Sequence, residues 1–411
     1  MTARSLADHA ALVLDGLPHM PVLDVMLSDA AGAMLADDLI ADSALPPFDV
    51  ASTDGYAVRS SDVADATATA PVVLAVTHDV SFDTRGPRRM VPGTAARISS
   101  GAPLPTGADA VVPVADTDRG LAKVSLAAAV DAGQWVTPAG FDAALGTVAV
   151  AQGTRLGSRQ LAVAAALGRS RLTVRPVPRV VIMAVGSELM EPGTSRPGGG
   201  VHESTSHLLA AAVREAGSHA YRAGVVRDDR YELRAAIEDQ LVRADVIITT
   251  GGLSEAQGDT LPHVLGEFGE VDVVELALEP GRRHGFGFLR ASGDDREIAV
   301  FALPGSPVAA AVAFEAYVRS ALRAMSGRAQ HDRRQVIAKV KGGWTATKGV
   351  SQLVPVTIAG TEASGFHVTP TGEPPALSLT ALAKADGFVV STPSSTAVRD
   401  GDTVTVALWE G

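Results

Sequence analysis

The 411-residue chain has no cysteine, which removes disulfides, thiolate zinc sites and a cysteine nucleophile in one step. It is also short of charge: 20% of residues are charged against 46% hydrophobic, so a large core can be buried and global disorder is excluded. Basic residues are in deficit, 35 Lys and Arg to 46 Asp and Glu, for a net charge of −11. That argues against a nucleic-acid or anionic-membrane surface, which needs clustered Lys and Arg, although a local basic pocket remains compatible. The N-terminus lacks an apolar core of signal-peptide length, so a cytoplasmic protein is expected. Long hydrophobic runs are absent as well. The most apolar stretch, Ala299 to Val318, is interrupted by Pro304, Gly305, Pro307 and Glu315 and reads as strand, turn and helix rather than a membrane span. No internal repeat, low-complexity tract or long linker is present.

What is there centres on Thr249 to Asp259. The β-branched run Val246-Ile247-Ile248 reads as a buried parallel strand. Gly251 and Gly252 then free the backbone for a turn, Ser254 follows, and Asp259 is placed to cap a helix from Thr260. Strand, glycine turn and helix start form the usual ligand position of an open α/β sheet. Leu303-Pro304-Gly305-Ser306-Pro307 repeats the pattern, with Ser306 as N-cap and Pro307 as first helical residue.

In chain order, helices are predicted over Ser5 to Leu17 and over Ser28 to Ile40, the second with Ser28 as N-cap. Leu45 to Val58 holds two prolines and the turn dipeptide Asp54-Gly55 before a short strand. Short apolar runs from about Pro71 to Asp131 suggest a small β domain, and Gln160 to Leu167 a short helix. From Arg179 strands and helices alternate: strands at Val180 to Val185, Tyr221 to Val226, Val246 to Ile248, Val271 to Leu276 and Ile298 to Leu303, with helices between them and a long one over Pro307 to Met325. This order predicts a doubly wound domain. After His331 five short strands indicate a C-terminal β domain.

Several of these segments, in order, resemble the MoeA/gephyrin family of molybdopterin molybdenumtransferases over essentially the whole chain. They are Leu45 to Val58, Gly101 to Val112, Val185-Gly186-Ser187-Glu188-Leu189, the Gly251-Gly252 turn, Glu279-Pro280-Gly281-Arg282, and Leu303 to Val308. The resemblance implies an α/β multidomain chain, with a doubly wound MogA-like molybdopterin-binding domain plus small β-rich domains. The expected boundaries are 1–48 with 133–175 (helical/linker), 49–132 (inserted β), 176–329 (doubly wound) and 330–411 (C-terminal β). It also implies an elongated homodimer that inserts molybdate into adenylylated molybdopterin with Mg²⁺, releasing AMP, in a cleft between the doubly wound domain of one subunit and the inserted domain of the other.

Such a ligand is highly anionic, so its cleft calls for Lys and Arg, and the metal for carboxylates. Here the sequence departs from the family pattern. Trp135-Val136-Thr137 and Gly140-Phe141-Asp142 stand where an arginine and a glutamate are expected; Ser187 replaces an aspartate, Gln257 a carboxylate, and Glu279 a lysine. His202-Glu203-Ser204-Thr205 replaces Tyr-Asp-Ser/Thr-Asn, Ser306 an asparagine, and Val350 and Pro355 fall on expected arginines. An expected Gly-Ser falls on Pro375-Ala376. The family-matching remnants are Asp54, Asp142, Glu188 and Asp259 as catalytic candidates, with Gly251, Gly252, Ser254, Arg282, Pro304, Gly305 and Ser306 for ligand binding and Glu188 with Glu203 for a metal.

Each has a plainer reading. Asp54 can shape a turn, Glu188 orient a loop, Asp259 cap a helix, and Trp135 and Phe141 pack. His202 and His207 lack a third ligand. A lysine-to-glutamate change beside a phosphate replaces a charge-assisted bond of roughly 1.5–3 kcal/mol with repulsion. The expectation favoured by these losses is a divergent gephyrin-like scaffold with a degraded active site. It would need no cofactor and would bind a protein segment, from a membrane receptor or a tubulin-like division protein, in an interdomain groove, with Val354 and Phe366 as anchors. The alternative is an active molybdenumtransferase using Mg²⁺ and molybdate.

Overall fold

A computed structural model of the protein describes residues 3–195, 197–254, 260–291, 293, 295–372 and 376–409. The chain divides into two compact units: 24–31 with 35–174, and 1–23, 32–34 and 175–411.

In the smaller unit a five-stranded sheet runs in the order Ala110–Pro113, Gly55–Val58, Thr94–Ile98, Val72–Val80, Lys123–Leu126. Successive side chains of a strand point to opposite faces. Tyr56, Val58, Ala95, Ala110 and Val112 therefore build one core, and Ala57, Ala96 and Val111 join Ile98, Leu104 and Met90 in another. The helix expected near Gln160 is present as Ser158–Ala166. The helix expected over Ser28 to Ile40 is not. That stretch contains a 3₁₀ turn, Leu27–Asp29, and the short strands Met34–Leu35 and Leu39–Ile40. Gly32 sits at φ 82°, which breaks a right-handed helix. The amides of Leu35, Ala36 and Ala41 donate to Thr154, Thr173 and Thr147 rather than to carbonyls one helical turn back. The apolar spacing there suited both structures, and long-range pairing decided between them.

The larger unit contains a six-stranded sheet: β1 (Arg179–Val185), β2 (His219–Val226), β3 (Val246–Thr250), β4 (Gly269–Glu275), β5 (Arg283–Leu289) and β6 (Ile298–Leu303), ordered β2-β1-β3-β6-β5-β4. β2, β1, β3 and β6 are parallel, and β5 runs antiparallel between β6 and β4. Val180, Ile182, Val246, Ile248 and Phe301 face one core, and Val181, Met183, Ile247, Val300 and Ala302 the other. Burial on both faces explains why these strands read as unbroken apolar runs.

β5 was missed in the sequence because His284-Gly285-Phe286-Gly287-Phe288 carries two glycines, which depress strand propensity. A Cβ on Gly287 would lie 2.0 Å from the Glu270 carbonyl oxygen, so the hairpin requires that glycine. The long helix after β6 is present as Pro307–Ala313, a π turn Phe314–Val318, and Arg319–Met325. The N-terminal helix Leu6–Gly16, capped by the Ser5 side chain, packs Val13 into the same core.

The C-terminal strands close on themselves. Ser351–Thr361 pairs with Gly365–Pro370, then Gln335–Val340, Thr403–Leu408 and Gly387–Ser391, which returns to the first half of Ser351–Thr361. Among the described residues this closure pairs both edges of each of the five strands. Val354, expected as a partner anchor, is fully buried inside this barrel, and Phe366 is half-buried against the same core.

Candidate functional site

The C-terminal ends of β2, β1, β3 and β6 lie side by side, because Val185 is in register with Val226, Ala184 with Thr250, and Thr250 with Leu303. The chain leaves β1 toward β2 on one side, and β3 lies on the other. A crevice outside the strand ends at such a reversal is where open α/β sheets bind ligands.

Three turns meet there. Gly251 adopts φ 86°, and a Cβ on it would fall 2.3 Å from the Val185 carbonyl oxygen. A Cβ on Gly305 would fall 3.2 Å from the Gly251 Cα. Gly252, at φ 69°, sits against Leu261 and Val185. A fourth segment joins them: Gly281, at φ 84°, abuts Pro304 and Ala309. The structure thus brings Gly251, Gly252, Pro304, Gly305 and the Glu279–Arg282 loop into one place. Ser254 is exposed just after the β3 turn. Ser306 occupies the N-cap position with Pro307 inside the helix, but its side chain makes no capping bond. The candidates Asp259 and Gln257, and the position Pro375, lie outside the described residues.

The carboxylates divide into used and unused. Glu203 is buried: one oxygen accepts from the Ser206 amide at 2.7 Å and the other from the Ser206 hydroxyl at 2.6 Å, with Arg222 at 3.5 Å. It orders a helix start, which removes it from the metal candidates. Glu188 is exposed at the end of β1, and its carboxylate folds back against Gly186. Among the described residues neither of its oxygens makes a hydrogen bond or ion pair.

One residue went unread in the sequence. At the end of β2 stand two aspartates. Asp229 caps the following helix by accepting from Tyr231 and Glu232 amides at 2.9 and 3.1 Å. Asp228 keeps a shielded Oδ1 with no hydrogen-bond partner among the described residues. A shielded acceptor left unbonded is costly, which makes Asp228 a candidate for contacting a ligand. The legible signal was the pair itself, since one aspartate suffices for the cap.

Glu279 carries the charge reversal noted in the sequence, yet it is not a bare negative charge. Gln352 Nε2 donates to it at 2.9 Å and Arg282 at 3.2 Å. Burial pushes its carboxyl upward, but hydrogen bonds from Thr347, Gln352 and Arg282 prevail and hold it below the usual range. Arg282 is correspondingly engaged, though still exposed.

Asp54 and Asp142 belong to the smaller unit. Asp54 Oδ1 accepts from the Ser100 amide at 2.7 Å, which is the turn-shaping role. Asp142 is exposed, as are Trp135 (at φ 60°) and Phe141. His202 meets the Thr194 carbonyl at 3.0 Å, and His207 lies 3.9 Å from Glu191. Among the described residues no three His, Asp or Glu side chains are grouped to hold a metal, and no helix is long and apolar enough to cross a membrane.

Residues 4–168 match the MoeA N-terminal region (domain I and II), 181–324 the probable molybdopterin binding domain, and 338–409 the MoeA C-terminal region (domain IV). Molybdopterin molybdenumtransferase 1 of Mycobacterium tuberculosis is 36% identical over 98% of both chains. The chain belongs to the MoeA family. Molybdopterin molybdenumtransferase 2 of the same organism is 36% identical over 85% of this chain and 86% of its own, and the Bacillus subtilis molybdopterin molybdenumtransferase 29% over 93% and 89%. Two structures of the molybdopterin biosynthesis MoeA protein from Pyrococcus horikoshii superpose with TM-scores of 0.79 and 0.73, at 29% and 24% identity. They cover 100% and 99% of this chain and all of each of theirs. The MoeA fold, with its MogA-like doubly wound domain, is therefore the fold of this chain.

Proposed function

We propose that this MoeA-family chain is a molybdopterin molybdenumtransferase, which inserts molybdate into adenylylated molybdopterin with release of AMP. The observation that carries the reading is the shielded Asp228 oxygen, without a hydrogen-bond partner among the described residues, just past the end of β2, the strand beside β1 and its Glu188 turn. It is supported by whole-length likeness to relatives that bear that name. This reverses the weight that the sequence departures gave to a scaffold: Glu279, the strongest of those departures within the larger unit, is held by Arg282 and Gln352 and its charge is offset.

The turns would hold the anionic ligand through backbone amides, beside the Arg282 that Glu279 engages. Oxygen-only carboxylates suit a hard divalent cation, and Glu188 and Asp228 would hold Mg²⁺. When bound, such an ion supplies neutralisation of phosphate charge. Molybdate is substrate. A homodimer is part of the proposal, and sedimentation at micromolar concentration tests it. The decisive measurement is molybdate-dependent AMP release by wild type, Asp228→Asn and Glu188→Gln, with folding checked by circular dichroism. Wild type is expected to turn over, and each variant to lose on the order of a hundredfold. No release by wild type, or full rates in both variants, refutes the assignment.

A second reading keeps the scaffold. Its supporting observation is a groove of about 740 Å³ in the larger unit, lined by Leu208, Ala212, Phe314, Leu382 and Trp409. An amphipathic segment of a membrane receptor or of a tubulin-like division protein would lay its apolar face there. Micromolar binding of the division protein's C-terminal peptide, lost in Leu379→Asp with Leu382→Asp, supports it; no binding by wild type ends it.

A further inference from the structure

The smaller unit carries a local charge reversal that the molybdenumtransferase reading does not use. Between the strands Val72–Val80 and Thr94–Ile98 the chain reads Ser81-Phe82-Asp83-Thr84-Arg85-Gly86-Pro87-Arg88-Arg89-Met90. Three arginines face one aspartate in a chain whose net charge is −11. Arg85, Arg88 and Arg89 are all exposed, and among the described residues none makes an ion pair or side-chain hydrogen bond. Nearby Arg97 shows the contrast, since Asp79 binds it at 2.5 Å. Asp83, the only acid of the loop, accepts from the Ser81 hydroxyl. Phe82 is 79% exposed beside these cations.

The loop is anchored at one end. Met90 is buried in the core beneath the sheet, its amide donates to the Thr106 carbonyl at 3.0 Å, and the Thr106 amide returns to the Arg88 carbonyl at 2.7 Å. The backbone that presents Arg88 and Arg89 is thereby fixed, which lowers the ordering cost of binding.

We propose that this loop is a docking surface for a short acidic segment of a partner protein, bearing a large apolar side chain. Carboxylates pair with guanidinium forks in two-bond geometry, and Phe82 supplies an apolar contact beside them. The chemistry discriminates among anions by extent. A nucleic acid or an anionic bilayer continues beyond the loop, where the rest of an acidic chain repels it, whereas a short peptide presents its charge only where the arginines are.

The test is fluorescence anisotropy with a labelled peptide of glutamates flanking one phenylalanine, and the lysine analogue as control, on the full chain at low and high salt. Wild type is expected to bind the acidic peptide in the micromolar range and to weaken about tenfold at high salt. Arg85→Ser with Arg88→Ser and Arg89→Ser should weaken it at least tenfold, and Phe82→Ser several-fold. All four positions are exposed, and circular dichroism confirms folding. Equal binding of the two peptides overturns the proposal, as does full binding by the folded triple variant. Tighter binding to phosphatidylserine vesicles or to single-stranded RNA than to the peptide overturns it in favour of those partners.

Discussion

Acid should unfold this protein through two buried imidazoles. His9, on the helix Leu6–Gly16, and His284, on β5, both contact Tyr317: His9 edge-on, with ring centroids 4.8 Å apart, and His284 through a 2.9 Å hydrogen bond to the phenol. His284 also meets the Gly281 carbonyl at 3.1 Å, whereas both ring nitrogens of His9 are buried without a hydrogen-bond partner among the described residues. Burial pushes His9 down to about 4, helped by His284 and Arg4 and opposed by Asp272; burial pushes His284 to about 4 as well. Unfolded, each titrates near 6.5. Both are neutral in either state above that value and contribute no pH dependence. As pH falls from about 6.5 toward 4 the unfolded chain takes up protons that the folded one refuses, so stability is lost. Each imidazole then costs about 2 kcal/mol at pH 5 and approaches about 3 kcal/mol below pH 4. The assay is urea unfolding of wild type and His9→Leu between about pH 7.5 and 4.5. Differencing the curves removes the carboxylate contribution that both share. The variant is expected to match or exceed wild type at neutral pH, because two unpaired polar atoms leave the core. It should also lose about 2 kcal/mol less by pH 5. Parallel curves for the two proteins would refute the argument.

Two further outcomes follow from packing. Gly251→Ala places a methyl 2.3 Å from the Val185 carbonyl in a left-handed turn, and should lower unfolding free energy by about 2 kcal/mol or more in urea titration. Val354→Asp buries a carboxylate in the closed C-terminal barrel and should destabilise by more than about 4 kcal/mol, read as a lost or strongly lowered thermal transition.

The central strands β1, β3 and β6 were legible because they are buried on both faces and therefore read as continuous apolar runs, and Ile298–Leu303 was read to the residue. Where one local pattern served two structures, the sequence misled. Ala30, Ala33 and Leu39 have helical spacing, yet Gly32 and distant carbonyls draw that stretch into strands. β5 was hidden by the glycines that its close crossing demands. At the site, the glycine turns were readable from their position after strands. Glu203's loss to a helix start and Asp228's spare oxygen were not, because both depend on which neighbour takes each hydrogen bond. The barrel's closure was likewise invisible: five strands were read, but not that the first half of Ser351–Thr361 pairs back to Gly387–Ser391.

Charge bookkeeping from sequence treats Glu279 as a repulsive replacement for a lysine. The hydrogen bonds argue otherwise. Its carboxylate binds Arg282 and Gln352, so its negative charge and the arginine's positive charge largely cancel before any ligand arrives. The two views separate in a double-mutant cycle on the affinity for adenylylated molybdopterin, the ligand proposed above. Glu279→Gln keeps an acceptor but removes the charge, which releases Arg282 toward the ligand and should tighten binding by up to about tenfold, or about 1.4 kcal/mol. In an Arg282→Ala background the released cation is missing, so the same change should gain little. If Glu279→Gln tightens binding equally in both backgrounds, the glutamate acts directly on the ligand through its field, and the cancellation inferred from its contacts is wrong. If Arg282→Ala alone leaves affinity unchanged while Glu279→Gln improves it only when Arg282 is present, the ion pair is what withholds the arginine from the site.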